Sequence, residues 1–491
     1  MIVRSTTPTH AQALLGALRR AVALVAAALC AACTSEGQGL AESGIPIRLV
    51  PAYSDSVFEY ALLEASTSLP MLASVEALGL TGQFTDVRIG NGKSVVLPRL
   101  AADVSFEMQL VGTDGSTRQI RVRALPADFP PYSIERTGPV ADGKIYTGVF
   151  TGFTSQSYSY SLILNGDGAP FYFRRFANPT FNFHKVVYPD GRVRYAYLDS
   201  AVGFEPGLGA ARGDIVLLDE RFRELRRFRL AATGTHGPLL TENHDVLVFD
   251  DDHWVLSSYD ERTVDLSAFG GRPDSHVVAS VLQEIRDGEV TWEWDSTQYP
   301  QLYGASVEGN DYTNSRVAVA DYMHFNSIEV DPYDGGYIVS FRHLDAIIKI
   351  MPNDVPRGSP IPIKWVLGGR LDQFGLTASQ KFYHQHDARI VSRAGSTLTL
   401  SLFNNNNGHY NEHASSAMVF ALDEDTKSAR LVDEYPGFFS AAQGSVQVLE
   451  SGHYSICWGA DNRITEALAG TRVFTLDFDD KFLVYRARKL R

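Results

Sequence analysis

Three histidine segments hold the residues best suited to chemistry: Glu242-Asn243-His244-Asp245, Asp321-Tyr322-Met323-His324-Phe325-Asn326-Ser327 and His384-Gln385-His386-Asp387-Ala388-Arg389. Each heads a β-type stretch, and residues at the same position of successive radial repeats converge on one axis. His244, His324 and His386 are therefore expected at one mouth of a common channel. Asn326, two residues past His324, shares its side of a strand. Arg342 lies in the next strand, Val339-Ser340-Phe341-Arg342-His343, within reach of the same mouth. Arg389, three residues beyond His386, flanks the cluster. A neutral imidazole is a competent nucleophile near neutral pH. The surrounding cationic and hydrogen-bonding groups suit a compact oxyanion such as sulfate or phosphate.

Other histidines read as structural. His343 follows Arg342 and is expected on the opposite face of the strand, and His384 is expected to face away from His386 or pack between repeats. His409 and His413 follow the run Asn404–Asn407 and read as an exposed loop, with the asparagines themselves as turn residues. The pair His384 and His386, together with His244, also fits zinc or copper, since i and i+2 share a strand face. Against a metal, Arg342 and Arg389 sit poorly beside a dication. A metal-dependent hydrolase or lyase is thus one alternative, and a non-catalytic ligand-binding protein of the cell envelope is another, because fold alone does not give function.

The elements that must position these residues are strands. The chain has 491 residues, 22 of them Tyr and 27 Phe, with 44% hydrophobic and 21% charged residues, which excludes pervasive disorder and leans towards β structure. The 44 Lys and Arg against 57 Asp and Glu give a net charge of −13, which opposes nucleic-acid binding. Residues 1–33 read as a leader. Arg19-Arg20 precedes the apolar run Ala21–Leu29, too short to span a bilayer, and Cys30-Ala31-Ala32-Cys33 resembles a lipoprotein processing site with Cys33 lipidated. The expectation is an exported protein, periplasmic or on the cell envelope, touching the membrane through that anchor alone. Cys457, in Tyr454-Ser455-Ile456-Cys457-Trp458-Gly459, reads as a buried structural thiol.

After a linker at 34–44, residues 45–128 alternate apolar and polar over short strands with turns at Asn91-Gly92 and Asp114-Gly115, which predicts a small N-terminal β-sandwich. Pro126, Pro130 and Pro131 mark the boundary that follows. From 140 to 491 the pattern repeats. Anchors at His184, His244, His324, His386 and Gly444 are separated by 60, 80, 62 and 58 residues, long enough for four strands and their loops each. With Tyr146–Phe176 as a first unit, the count is six. The predicted fold is all-β, a six-bladed β-propeller behind the sandwich.

The run Asp321–Ile350, the His386-Asp387-Ala388-Arg389 element, Trp365-Val366-Leu367-Gly368-Gly369 and Ile456-Cys457-Trp458-Gly459 resemble the bacterial arylsulfate sulfotransferases, from about Asp142 onward. The details sit closer to the broader, less characterised branch. The resemblance implies a transferase that moves a sulfuryl group from an aryl sulfate to a phenol through a sulfo-histidine intermediate, with neither nucleotide nor cofactor. Position by position, it implies His386 as nucleophile and His324, Asn326, Arg342 and His244 as the groups around the sulfuryl oxygens. Tyr322, Phe325, Phe382 and Tyr383 flank these positions and are candidates to stack on an aryl ring, with core packing as the alternative. Archetypal members hold a disulfide near the site. This chain, left with Cys457 once a leader is removed, cannot form an internal one. Relatives dimerise, so a homodimer is one assembly the resemblance allows.

Overall fold

The computed structural model describes residues 128–491 apart from 153–156, 167, 169, 206–207, 309–318 and 408–413, together with six strands before residue 125. The expected leader, Cys33 and the linker 34–44 lie outside the described residues. The chain forms two compact units, 1–129 with 167–172, and 130–166 with 173–491.

The N-terminal unit contains two three-stranded sheets. One joins Ile47–Arg48, Met71–Ser74 and Ser94–Leu97, and the other joins Val57–Leu62, Thr117–Ala124 and Ser105–Val111. Ser105–Val111 and Thr117–Ala124 form the antiparallel hairpin expected around Asp114-Gly115. Each sheet also contains one parallel pair, which requires a crossover rather than a tight turn.

The second unit is a ring of six antiparallel blades, numbered here along the chain. Blade 2 runs outward through Thr180–Val187, Val193–Glu205, Ala210–Leu218 and Glu224–Phe228. Blade 3 uses Leu247–Asp250, His253–Val264, Ser275–Arg286 and Glu289–Asp295. Blade 4 uses Phe325–Val330, Tyr337–Phe341, Ala346–Ile350 and Ile363–Gly368, and blade 5 His386–Ala394, Thr397–Asn404, Ser416–Asp423 and Ser428–Pro436. Blade 6 uses Ser445–Val448, His453–Cys457, Arg463–Leu468 and Thr471–Phe478, with Tyr132–Arg136 added as a fifth, outer strand. Blade 1 is composite. Its outer strands are Lys144–Thr151, Ser159–Leu164 and Pro170–Phe176, and its innermost is Phe482–Leu490, paired from Phe482↔Thr151 to Leu490↔Lys144. The two ends of the propeller sequence thus close the ring.

Burial explains the patterning. Tyr337–Phe341 and Ala346–Ile350 are buried throughout, because both faces of a blade pack on neighbours. Val339 and Ile348 join the core shared with blade 3, whereas Ile338 and Ile347 join the core shared with blade 5. The outermost strand Ser428–Pro436, with one face in water, keeps its alternation. Cys457 is buried in blade 6, as expected, and burial pushes its thiol up to about 12.

Two aspartates lie where the innermost strands meet. Asp245 accepts from Arg486 of blade 1 (2.9 Å), Asn182 of blade 2 (3.5 Å), the Ile328 N–H of blade 4 (3.1 Å) and Arg389 of blade 5 (2.5 Å). Asp387 accepts from Arg389 (2.8 Å), Arg488 (2.8 Å) and the Val446 N–H of blade 6 (3.2 Å). Burial alone would raise both carboxyls, but the three arginines hold Asp245 well below the usual range and Asp387 at about 2. Asp245→Ala leaves Arg389 and Arg486 buried without their shared partner and should cost about 3–5 kcal/mol. A urea-unfolding midpoint read by tryptophan fluorescence checks this, and an unchanged midpoint would show that the web adds no stability.

Candidate active site

The three predicted histidines come together at one mouth of the ring, each held from behind. His244 follows Thr241–Glu242, a two-residue strand fixed to blade 2 by Arg212↔Glu242 and Gly213↔Thr241 pairing. Fully buried Glu242 accepts the His244 N–H at 2.9 Å, and its carboxylate also bonds Nδ1 of the ring and Ser257 Oγ. The His324 ring bonds Asp321 through Nδ1 at 2.6 Å, and its N–H donates to the same carboxylate at 3.1 Å. His386 opens blade 5, with Nδ1 2.6 Å from Asn405 Oδ1 and the Gln443 N–H 3.3 Å from Nε2. The His244 and His324 rings meet edge to face at 4.8 Å. Beneath them, the Tyr485 hydroxyl donates to His244 O and that of Tyr259 to Phe325 O.

The backbone at this mouth is unusual. His324, His384 and Asp387 have φ of 55°, 52° and 55°, a region that non-glycine residues rarely adopt. Gly209 leaves room for the His324 ring, since a Cβ there would lie 3.0 Å from Cε1.

Arg342 stands one residue beyond Tyr337–Phe341 and begins a short 3₁₀ turn, not a continuing strand. Its N–H donates to His324 O at 2.8 Å, and its guanidinium reaches Glu308 at 3.3 Å. The turn breaks strand alternation, so the expectation that His343 faces away is corrected. The His343 ring stacks on His324 at 4.6 Å and bonds Asp321 O at 2.6 Å. His384 also belongs to the cluster, with Nε2 2.5 Å from Glu308 and Nδ1 2.7 Å from Asn407 Oδ1. Glu308 was not anticipated, since an acid in a loop has no periodic signal. Its bond to His384, with Arg342 and His343 alongside, holds its carboxyl far below the usual range.

Asn326 is fully buried and ties blade 4 to blade 5, its Nδ2 donating to Gln385 O at 2.7 Å. Three other expectations do not hold. Arg389 is committed to the central web, with Asp387, Asp245 and Ile328 O as partners, and is not beside the histidines as a ligand group. Tyr322 and Phe325 are fully buried in the core between blades 3 and 4, the Tyr322 hydroxyl bonded to Ser296, so neither offers a face to a substrate. Phe382 likewise packs in the core of blades 4 and 5, and Tyr383 is half-buried. His409 and His413 fall outside the described residues.

Burial, reinforced by Arg342 and His244, suppresses the basicity of His386 and His324 well below the ordinary histidine value. His343 is lowered to about 3, chiefly by burial. The site therefore combines neutral imidazoles at His386, His324 and His343 with the cationic Arg342, whose own pKa is lowered by burial. The metal set drawn from His384, His386 and His244 is not assembled, because His384 turns to Glu308 and Asn407 while His386 turns to Asn405. Asp321, His324 and His343 are close enough to share a cation, but the His324 Nδ1 and Asp321 Oδ2 atoms already bond each other, with Arg342 nearby. A second acidic group, Asp331, Asp334 and Glu424, surrounds Lys349 Nζ at 2.5, 2.8 and 2.8 Å.

No curated protein matches the chain. Among solved structures it is similar to the periplasmic gluconolactonase PpgL of Pseudomonas aeruginosa, with TM-score 0.39, 12% identity, and 71% of this chain and 99% of that one covered. It is also similar to a protein of unknown function from Bacteroides caccae, with TM-score 0.38, 11% identity, and coverage of 70% and 99%. Both likenesses are too remote to carry an argument. The model of the family described as Arylsulfotransferase (ASST) matches residues 200–478, more than half of the sequence and the stretch that contains His244, His324, Arg342 and His386. With six blades bringing those residues to one mouth, the chain belongs to the arylsulfotransferase family.

Proposed function

We propose that the protein carries a sulfuryl group from an aryl sulfate to a phenolic acceptor on His386, without a nucleotide donor or cofactor. The observation that carries this reading is the condition of His386. It is a buried imidazole of suppressed basicity, with Nδ1 committed to an amide oxygen. Such a ring attacks as the neutral nucleophile at pH 7. Arg342 supplies fixed positive charge for the oxygens of the group in flight. His244 and His324, backed by the carboxylates of Glu242 and Asp321, are suited to donate to those oxygens and to exchange the phenol proton. Asn326 braces the strand head beneath His386. The protein would work at the cell envelope, anchored through Cys33, on small aryl sulfates and phenols.

Intact-protein mass after brief mixing with 4-nitrophenyl sulfate tests the reading. Wild type should gain a transient adduct of about 80 Da and release nitrophenol, and His386→Ala should lose turnover by roughly 10³-fold or more. Equal turnover in the variant would sink His386 as the carrier.

Lowered histidine values also fix a pH dependence. A histidine kept neutral by the fold contributes stability above its unfolded value of 6.5. That contribution is lost as pH falls towards the folded value, about 3 for His343, because the unfolded chain takes up protons first. Unfolding midpoints should therefore fall from pH 6.5 downward. The acid limb of kcat/KM should lie well below 6.5, and a limb at 6.5 or above would mean that His386 titrates as an ordinary exposed histidine.

Exhaustive treatment with a chelator should leave turnover unchanged and restore nothing on later addition of zinc. Loss of turnover with recovery on zinc would favour the metal-dependent alternative.

A further inference from the structure

Of the three converging histidines, two are backed by carboxylates and one by an amide. Glu242 backs His244 and Asp321 backs His324, but His386 is backed by Asn405. The amide cannot be turned round. Asn405 is fully buried just past Thr397–Asn404, and its Nδ2 donates to Ser440 O and Gln443 O, both at 3.0 Å. An amide oxygen facing those two carbonyls would find no donor, so Oδ1 faces His386. That oxygen only accepts. The His386 proton therefore sits on Nδ1, Nε2 carries the lone pair, and the Gln443 N–H points at it from 3.3 Å.

We propose that Asn405 is a positioning residue that fixes the His386 proton on Nδ1 and, because an amide cannot take that proton, keeps the ring of the sulfo-histidine intermediate cationic and quick to discharge. The inference rests on His386 as the sulfuryl carrier. In the first step the Nε2 lone pair forms the N–S bond, the S–O(aryl) bond breaks, and its electron pair leaves with the phenolate. The ring keeps its Nδ1 proton and becomes a sulfo-imidazolium. In the second step the acceptor oxygen bonds sulfur, the N–S pair returns to Nε2, and neutral imidazole is restored. The net proton movement is from acceptor phenol to donor phenolate, with no oxidant or reductant. A carboxylate at position 405 would draw the Nδ1 proton away, so that the ring would have to leave as imidazolide, a poorer leaving group than neutral imidazole.

The experiment compares wild type with Asn405→Asp under 4-nitrophenyl sulfate, following the adduct by mass before and after addition of phenol. The expected result is adduct formation in both, with its lifetime in the presence of phenol lengthened about tenfold or more in the variant. Equal lifetimes would overturn the inference while leaving His386 as carrier. No adduct and no nitrophenol in wild type would overturn both. Because a buried carboxylate could unsettle the fold, ¹⁵N spectra of the histidine rings in wild type give a second reading. His386 should show protonated Nδ1 and bare Nε2 near pH 7, and the opposite tautomer would overturn the inference.

Discussion

Everything at the mouth of this propeller depends on two buried aspartates being neutralised. Between them, Asp245 and Asp387 accept hydrogen bonds from the innermost strands of blades 1, 2, 4, 5 and 6, and Asp245 itself enters blade 3. Each follows a site histidine directly, His244 before Asp245 and His386 before Asp387. One residue of each pair lies in the histidine cluster and its neighbour faces the axis. Fixing the aspartates therefore fixes the imidazoles, which is how segments 142 positions apart are held in register.

The electrostatics follow from that arrangement. The arginines of this region are divided by their partners into two groups. Arg389, Arg486 and Arg488 neutralise the web, and Arg342 is left at the mouth with Glu308 as its ion-pair partner. Removing water from this region weakens the imidazolium forms of His386, His324 and His343 relative to their imidazoles, so the fold makes charge on these histidines unfavourable. The carboxylates behind His244 and His324, and the amide behind His386, then distinguish rings that would otherwise be chemically alike.

Much of this was legible in the sequence. The spacing of histidine-headed units gave six blades, and the convergence of His244, His324 and His386 followed from radial symmetry. What failed was side-chain direction. Counting by twos from Arg342 sent His343 the wrong way because a 3₁₀ turn begins there. Between His386 and Arg389 the strand register shifts, with Asp387 in a left-handed conformation, and Arg389 turns inward to the axis. Tyr322 and Phe325 were misplaced because blades are covered on both faces, so aromatics near a site are still core. The Asn404–Asn407 run, expected as turn residues, instead begins as the end of the strand Thr397–Asn404 and continues as irregular chain, with Asn406 left-handed. One member, Asn405, nonetheless backs His386, and nothing in the spelling of four asparagines distinguishes it.

The strand Phe482–Leu490 brings both Arg486 and Arg488 to the axis, and it pairs with a strand more than three hundred positions earlier, as in the bond from Thr147 Oγ1 to the Arg486 carbonyl 339 residues away. Ring closure and completion of the charge web consequently fall to one strand. Without this strand the two aspartates keep Arg389 but lose Arg486 and Arg488, two of the three arginines that balance them. Such long-range pairing is slow to form. The design thus ties the setting of His244 and His386 to the strand that closes the ring.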